Sequence, residues 1–235
     1  MVSLSFIETT AAIGAAAIAS VLIFFVTYWF NRDPDRSPPK STNEELIVSP
    51  SDGTVLYIKQ FQSGVPIANK FKLQIPLDEL KDIDAFEKGC TLVGIYLSPF
   101  DVHVTRAPIS GKVTLVKSYT GQLFSRKLLA FTTVDERGTI VIEGNRITVG
   151  VVHMAAYLVR RVILNVRTDQ SIGIGERIGR IRMGSQVDVV LPFSDIMEIP
   201  IKPGDRVRAG ESVLAIWRIA KSTGELKERP EYRTD

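Results

Sequence analysis

An uncharged, apolar stretch near the beginning is the feature that most constrains how this chain can fold. No charged residue occurs between Thr9 and Asn31, and residues 11–30 are predominantly apolar. As a helix, such a stretch is about 30 Å long, which matches the hydrocarbon layer of a bilayer. Tyr28 and Trp29 close it, as aromatic residues do at a membrane interface. The sequence therefore predicts one N-terminal transmembrane helix.

Charges on either side of this stretch predict its orientation. Arg32, Arg36 and Lys40 follow it, whereas Glu8 precedes it. Because basic residues favour the cytoplasmic side, we expect the rest of the chain on the cytoplasmic face of the cell membrane, with a single-pass or peripheral anchor. A cleaved signal peptide is the rival interpretation. The length of the stretch and the lack of a basic residue before it disfavour that alternative.

A proline-rich segment at 33–39 separates this anchor from the remainder, because prolines cannot continue a helix. We therefore divide the chain into an anchor and linker over 1–40 and one folded domain over 41–235. Segments rich in Val, Ile and Thr and bounded by Gly, Pro, Asp or Asn predict strands at 53–58, 91–97, 112–116, 139–142, 146–152 and 187–191. Residues 76–87 are compatible with a short helix or an ordered loop.

A weak internal repeat indicates how these strands are arranged. Residues 49–55 (SPSDGTV) resemble residues 107–113 (APISGKV), and 203–211 (PGDRVRAGE) form a turn-strand-turn like those of biotinyl and lipoyl carrier domains. The pattern predicts a mainly β fold with a few short helices, built as a duplicated, hammerhead or lipoyl-like β-sandwich after one transmembrane helix.

Composition limits the partners of this domain. A net charge of +3 without a Lys/Arg run predicts no nucleic-acid partner, whereas a basic excess suits an anionic lipid surface. The single cysteine, Cys90, and the two histidines, His103 and His153, are too few for a Cys- or His-based metal site, so we expect no metal. Carboxylate-only metal binding is left open.

The segment 180–188 (RIRMGSQVD) contains the first candidate for chemistry. Its odd positions are apolar apart from Ser185, while Arg182 and the other even positions are polar or glycine, which is strand spacing. A serine hydroxyl among apolar neighbours, beside Gly184 with its permissive backbone, could attack the carbonyl of the preceding residue. Taken alone, a Gly-Ser pair is more often a turn.

Two further residues are candidates to act together with this serine. A serine needs a base to take its proton, and a histidine base works best when a carboxylate holds its tautomer. His103 and Asp52 both lie near Pro or Gly turns at the edges of apolar segments. The sequence provides the three residue types without showing that they meet.

The order and spacing of these motifs resemble the short, bacterial and archaeal type of phosphatidylserine decarboxylase. The resemblance is nearly end to end. Three positions depart from the family pattern: Asn31 replaces a second aromatic, Arg106 replaces the second histidine of longer members, and Asp135 replaces an asparagine. The matching segments are 30–36 (FNRDPDR), 49–53 (SPSDG), 101–104 (DVHV), 106–111 (RAPISG), 178–185 (IGRIRMGS) and 187–192 (VDVVLP).

This resemblance implies a self-processing enzyme. Asp52, His103 and Ser185 match the processing triad, which would cut the chain between Gly184 and Ser185 into a large and a small chain. Ser185 would become a covalent pyruvoyl group, with no pyridoxal phosphate and no metal. That group would draw electrons as CO₂ leaves, and His103 would return a proton to the substrate carbon.

The substrate implied by the resemblance is a phospholipid with a serine headgroup. Phosphatidylserine would yield phosphatidylethanolamine, and the ether lipid archaetidylserine is the alternative. Arg106 and Arg182 are candidates for binding its anionic groups, although a solvated strand face would explain Arg182 equally well. A homo-oligomer is left open.

The alternative of a different class is a non-enzymatic, membrane-anchored adaptor with lipoyl-like hairpins. Such adaptors carry a long heptad hairpin, and this chain contains no heptad run.

Overall fold

The computed structural model describes residues 4–41, 44–62, 64–70, 73–119, 136–155, 161–182 and 185–218, with only the backbone described for 4–8, 73 and 185. Helix α1 spans Leu4–Phe24 and continues into a π-helical turn, Phe25–Trp29. A 3₁₀ turn, Asp78–Leu80, and helix α2, Asp84–Glu87, confirm the short helix or ordered loop predicted for 76–87.

Strands make up most of the remaining described structure, as the sequence predicts. In chain order they are β1 Glu44–Val48, β2 Gly53–Phe61, β3 Ile67–Lys70, β4 Leu73–Pro76, β5 Cys90–Leu97, β6 Val104–Arg106, β7 Gly111–Tyr119, β8 Arg137–Glu143, β9 Thr148–Ala155, β10 Arg161–Leu164, β11 Ser171–Ile172, β12 Arg177–Arg182, β13 Ser185–Pro192, β14 Met197–Glu198, β15 Arg206–Val207 and β16 Val213–Arg218.

One eight-stranded antiparallel sheet organises the domain, in the order β11-β7-β8-β9-β13-β5-β2-β15. Two three-stranded sheets, β1-β16-β14 and β10-β12-β6, and the hairpin β3-β4 complete the described strands. Strand β13 therefore lies inside the large sheet, between β9 and β5.

The large sheet buries both faces, and β13 shows this by alternation. Val187, Val189 and Leu191 join the main core, which also receives Leu214 from β16. Val190 points to a second core beneath β3, β4 and α2. A strand covered on both sides can place polar groups in either core only if they are hydrogen-bonded.

The weak sequence repeat has a structural counterpart. Gly53 begins β2 and Gly111 begins β7, and at each a Cβ atom would lie 2.2 Å from a backbone oxygen of the adjacent strand. Two residues later, Val55 and Val113 each exchange backbone hydrogen bonds with the turn before a two-residue strand, β15 or β11. The two ends of the large sheet are thus built alike. The duplicated hammerhead arrangement itself stays a prediction.

The N-terminal helix is exposed along its apolar length. Its stretch Thr9–Trp29 is long and apolar enough to cross a membrane, and none of it is buried in the protein. The helix could therefore anchor the chain to a membrane. Phe30, which the sequence analysis counted with the apolar stretch, is instead buried against the β domain with 7% exposure.

Candidate active site

The beginning of β13 brings Ser185 into the middle of the large sheet. Its backbone pairs with Leu97 of β5 on one side and with Ala155 of β9 on the other. Gly184 and Met183 lie outside the described residues. Ser185 is therefore fixed by two neighbouring strands, at the edge of the main core.

His103 lies at the end of a loop, 98–103, that follows β5. Its Nδ1 is 2.8 Å from the backbone carbonyl oxygen of Asp101. A carbonyl only accepts, so Nδ1 carries the proton and Nε2 of the neutral ring presents a lone pair. Nε2 is buried and finds no hydrogen-bond partner within the described part of the chain. The tautomer is thus set for His103 to act as a base.

The surroundings keep this imidazole neutral. Burial lowers the pKa of His103, and the positive charges of Arg32 and Arg180 lower it further. The carbonyl and carboxylate of Asp101 oppose these effects without reversing them. Because the pKa lies below its ordinary value of 6.5, the ring is uncharged at neutral pH and able to accept a proton.

The loop that carries His103 is held by the side chain of Asp101. This carboxylate accepts hydrogen bonds from the backbone N–H and the hydroxyl of Ser98, both at 2.8 Å, and pairs with Arg206 at 2.5 Å. Burial would raise the pKa of Asp101, but the hydrogen bonds from Arg206 and Ser98 outweigh it and the pKa is lowered. The loop is therefore braced by a carboxylate that stays ionised.

Asp52 is buried at the turn before β2, where its carboxylate meets two partners. It accepts the N–H of Ala209 at 2.8 Å and pairs with Arg36 at 3.0 Å. No hydrogen bond joins Asp52 to His103 among the described residues. In this structure the carbonyl of Asp101, rather than the carboxylate of Asp52, orients the imidazole.

Residues 30–36, here called the strap, contact both His103 and Asp52. The Phe30 ring packs on the His103 ring, with centroids 4.2 Å apart. At its other end, Arg36 bridges Asp52 and Glu211. The strap that the sequence indicated as a stiff linker thus contacts both His103 and Asp52.

The middle of the strap is fastened by ion pairs. Asp33 accepts from Arg106 at 2.9 Å and from Arg177 at 2.5 Å. Asn31 accepts from Arg180 at 3.1 Å. The polar residues between the two ends therefore also bind the β domain.

Comparison with known proteins assigns this site to a family. The profile of the phosphatidylserine decarboxylases matches residues 23–215, which include the strap, His103 and Ser185. The chain belongs to this family.

Individual relatives support the assignment over most of their length. A protein of Methanocaldococcus jannaschii, named an archaetidylserine decarboxylase proenzyme, is 38% identical over 87% of this chain and 95% of its own length. One of the same name from Methanothermobacter thermautotrophicus is 34% identical over 92% and 95%. A phosphatidylserine decarboxylase proenzyme of Chlorobium limicola is 32% identical over 85% and 83%.

The two arginines proposed from the sequence to bind substrate have different surroundings. Arg106 is buried, and its terminal nitrogens donate to Asp33, to the Pro34 carbonyl at 2.9 Å and to the Gly175 carbonyl at 3.0 Å. Arg182 is exposed at the end of β12, just before the cleavage site predicted between Gly184 and Ser185. Arg106 secures the strap, while Arg182 faces solvent.

A buried polar cluster behind β13 was not singled out from the sequence. Asp188 accepts from the Tyr57 hydroxyl at 2.5 Å and from the Gln186 amide at 2.7 Å. Burial raises the pKa of Asp188 to about 7, against the lowering effect of those hydrogen bonds and of the Lys70 charge. Lys70, also buried, donates to the carbonyl of Ala155, the residue paired with Ser185. Alternation indicated that Gln186 and Asp188 share a face, but not that this face is buried.

His153 is a structural histidine. It is fully buried, its Nδ1 lies 3.1 Å from the Gly138 carbonyl, and its Nε2 lies 2.9 Å from the Thr105 hydroxyl. Burial lowers its pKa to about 4. Among the described residues, no group of three or more His, Cys, Asp or Glu side chains is arranged to hold a metal ion.

Proposed function

We propose that this chain is a proenzyme that cuts its own backbone between Gly184 and Ser185 and then decarboxylates a phospholipid with a serine headgroup. Membership of the family makes it a decarboxylase, which is a carboxy-lyase, and supports this activity over that of an adaptor. The observation that carries the proposal is the buried Nε2 of His103, a neutral base without a partner in the described structure.

The self-cleavage follows from the chemistry of the serine. His103 takes the proton of the Ser185 hydroxyl, and the oxygen attacks the Gly184 carbonyl carbon while the C–N bond breaks, leaving an ester and a free amine. Loss of the Cα proton of residue 185 expels the ester oxygen, which leaves with Gly184 as its carboxylate. Water then replaces the nitrogen of the resulting dehydroalanine, ammonia departs, and a pyruvoyl group remains.

The surroundings fit such a group at residue 185. It would begin a strand paired with β5 and β9, beside the main core. A pyruvoyl carbonyl supplies a site for the substrate amine and withdraws electrons as CO₂ leaves. His103 provides a buried nitrogen that can exchange a proton with the substrate carbon. Because the pKa of His103 is lowered, the resting imidazole is the neutral base. To return a proton to the substrate carbon, as predicted, His103 must therefore first gain that proton during the reaction.

The other site residues take supporting roles in this proposal. Asp52 supports the triad by holding the Ala209 backbone and Arg36, the last residue of the strap whose first residue, Phe30, packs on His103. Arg182, exposed just before the cleavage site, is the candidate for the lipid phosphate or substrate carboxylate. The contacts of Arg106 support positioning of the strap, and its direct binding of substrate stays a prediction.

The membrane and the lipid follow from the anchor and from the relatives. We place the domain on the cytoplasmic face, from the basic residues after the helix. Phosphatidylserine is the proposed substrate. Archaetidylserine is the second candidate, because relatives at 38% and 34% identity are named for it. Homo-oligomerisation stays a prediction.

Mass spectrometry of the purified protein tests the proposal. We expect two fragments, 1–184 and 185–235, with a carbonyl reagent labelling the smaller one. Ser185→Ala should remain whole, whereas Ser171→Ala, the same change at an exposed strand residue, should be cut. Release of CO₂ from vesicles containing either lipid identifies the substrate. A folded wild-type chain that stays intact and carries an ordinary serine would refute the proposal.

A further inference from the structure

An aromatic side chain protrudes from the loop that carries His103. Phe100 is 68% exposed, an unusual position for a large apolar ring. It contacts the Phe25 ring edge-on, with centroids 5.5 Å apart. Phe25 belongs to the stretch Thr9–Trp29 that is able to cross a membrane. The loop therefore reaches alongside the apolar helix.

The loop is also tied to the end of that helix. Arg32 donates to the backbone carbonyl of Phe100, and Phe30 packs on His103. These two attachments fix the height of the loop relative to the helix. Phe25 lies about one turn, or roughly 5 Å, inside the end of the stretch at Trp29. The Phe100 ring is consequently held at the depth of the outer acyl chains once the helix is in a bilayer.

The residues around the protruding ring suit the headgroup layer. The Arg32 guanidinium lies 4.5 Å from the centre of the Trp29 ring, a pair of residue types that favours a membrane interface. Arg180 lies close enough to lower the pKa of His103. An apolar tip on a loop that has the cations Arg32 and Arg180 beside it is complementary to an anionic lipid surface.

We propose that loop 98–103 dips into the bilayer surface beside the helix, with Phe100 as the inserted side chain and lipid as its partner. This inference rests on the proposed function, because it requires the helix to be a membrane anchor. It adds that the lipid headgroup meets His103 at the membrane surface, without the acyl chains leaving the bilayer.

Fluorescent labelling of single cysteines measures the depth of the loop. Phe100→Cys is compared with Phe193→Cys, which is 43% exposed and follows the opposite end of β13, roughly 25 Å from Ser185. Cys90 is 1% exposed, and the unmodified protein reports any labelling there. In phosphatidylglycerol–phosphatidylcholine vesicles, we expect an environment-sensitive dye at 100 to be quenched by brominated acyl chains and shielded from iodide. The dye at 193 should behave oppositely.

Enzyme activity gives an independent measurement. Phe100→Ser should lower the ratio of activity on vesicle-borne phosphatidylserine to activity on a dispersed short-chain analogue by about tenfold, the effect of withdrawing one partly immersed aromatic ring. The matched control Phe193→Ser should leave this ratio unchanged.

Vesicle flotation and self-cleavage separate the possible failures. Protein that neither floats nor is cut would refute the proposed function and this inference with it. Protein that floats and is cut, while its dye at 100 is open to iodide, would refute the inference alone. Shielding that rises with protein concentration at fixed lipid would assign Phe100 to contact with a second copy and would likewise overturn it.

Discussion

Two buried histidines show how one hydrogen bond separates a structural residue from a reactive one. His103 and His153 both bond a backbone carbonyl through Nδ1. They differ at Nε2, which in His153 meets the Thr105 hydroxyl and in His103 meets no described partner. The hydroxyl satisfies His153 and removes its lone pair from chemistry. The lone pair of His103 has no described partner, and we propose that the Ser185 hydroxyl is the group it serves.

Replacing each histidine by glutamine should therefore have different effects. His103→Gln removes the base, and we expect self-cleavage at least a hundredfold slower, within the range of lost general-base catalysis. His153→Gln should still be cut, but with a free energy of unfolding lower by roughly 1–3 kcal/mol because buried hydrogen bonds are disturbed. A time course of cleavage after cell-free synthesis measures the first effect and thermal melting the second. Equal cleavage rates in the two variants would contradict the assignment.

Asp188 should make stability depend on pH. Its folded pKa is about 7, whereas an unfolded aspartate titrates near 3.9. Between these values the folded state keeps a proton that the unfolded state has lost, so stability from this group falls as pH rises. We compare Ser185→Ala, which stays uncut, with the same protein carrying Asp188→Asn. As the pH rises from 4 to 7, the free energy of unfolding of the double variant should increase relative to that of its parent, by up to about 4 kcal/mol.

Melting temperatures of the two proteins at pH 4.5 and 7 measure this difference. The opposite contribution of His153, whose pKa is lowered to about 4, is present in both proteins and cancels in the comparison. If the difference in melting temperature between the two proteins is the same at pH 4.5 and at pH 7, Asp188 is ionised in the folded state at both pH values.

At the scale of elements, the strap connects the N-terminal helix to His103 and Asp52, the proposed catalytic groups. Asp33 holds it against Arg106 and Arg177, and its side chain is 25% exposed. Asp35 has the same charge two residues later but is fully exposed, 3.3 Å from Arg177. An exposed ion pair such as Asp35–Arg177 contributes little to stability. Removing Asp33, in contrast, leaves the buried guanidinium of Arg106 without its carboxylate partner. The two aspartates thus form a matched pair for experiment.

Asp33→Asn should release the strap and alter how self-cleavage depends on pH. With Phe30 withdrawn, water reaches His103, and the pKa of that residue rises towards 6.5. Because the base works only when neutral, cleavage slows as pH falls through this pKa. The acid limb of the rate profile should lie below pH 6.5 in the wild type and shift upwards in Asp33→Asn.

Asp35→Asn should keep the wild-type profile, and cleavage rates between pH 5 and 8 provide the measurement. A shift of the same size in both variants would mean that the strap acts through its net charge rather than through its contact with His103.

Local sequence patterns were sufficient for the long strands. Val-, Ile- and Thr-rich segments bounded by turn residues became β2, β5, β7, β8, β9 and β13. The two-residue strands β11 and β14 have no such pattern, because pairing with a neighbouring strand defines them. Strand β15 lies within the turn-strand-turn predicted at 203–211. Ser185, His103 and Asp52 were proposed as reactive residues from their motifs and the family resemblance, and that role stays a prediction.

Long-range contacts explain what the sequence could not provide. In the sequence, residues 33–36 of the strap belong to a proline-rich linker, which indicates no contacts with the domain. The partners of the strap, Arg106, Arg177 and Arg180, lie far along the chain. The tautomer of His103 depends on the carbonyl of Asp101, a backbone group that residue identity does not reveal. Distant side chains and a neighbouring backbone group thus decide the environment of a residue that the motif had located.

For the whole molecule, the position of the proposed cut matters because the small chain does not form a separate layer. Beyond residue 184, β13 pairs with β5 and β9, β15 with β2, and β16 with β1. Leu214 and Val189 lie in the main core together with residues from the first part of the chain. Cutting one peptide bond leaves all these interactions in place, so the two chains should remain one folded unit.

This arrangement predicts a concentration-dependent stability for the cut protein alone. Its unfolding releases two separate chains, so a tenfold increase in protein concentration should add about 1.4 kcal/mol to the apparent free energy of unfolding. Ser185→Ala unfolds as a single chain, and its denaturation midpoint should not change with concentration. Guanidinium titrations in detergent at two protein concentrations measure both. Because the midpoint responds only to the number of particles released, a constant value for the cut protein would mean that its two chains stay associated after unfolding. Loss of the small chain on gel filtration in native buffer would instead show that strand pairing does not hold the chains together.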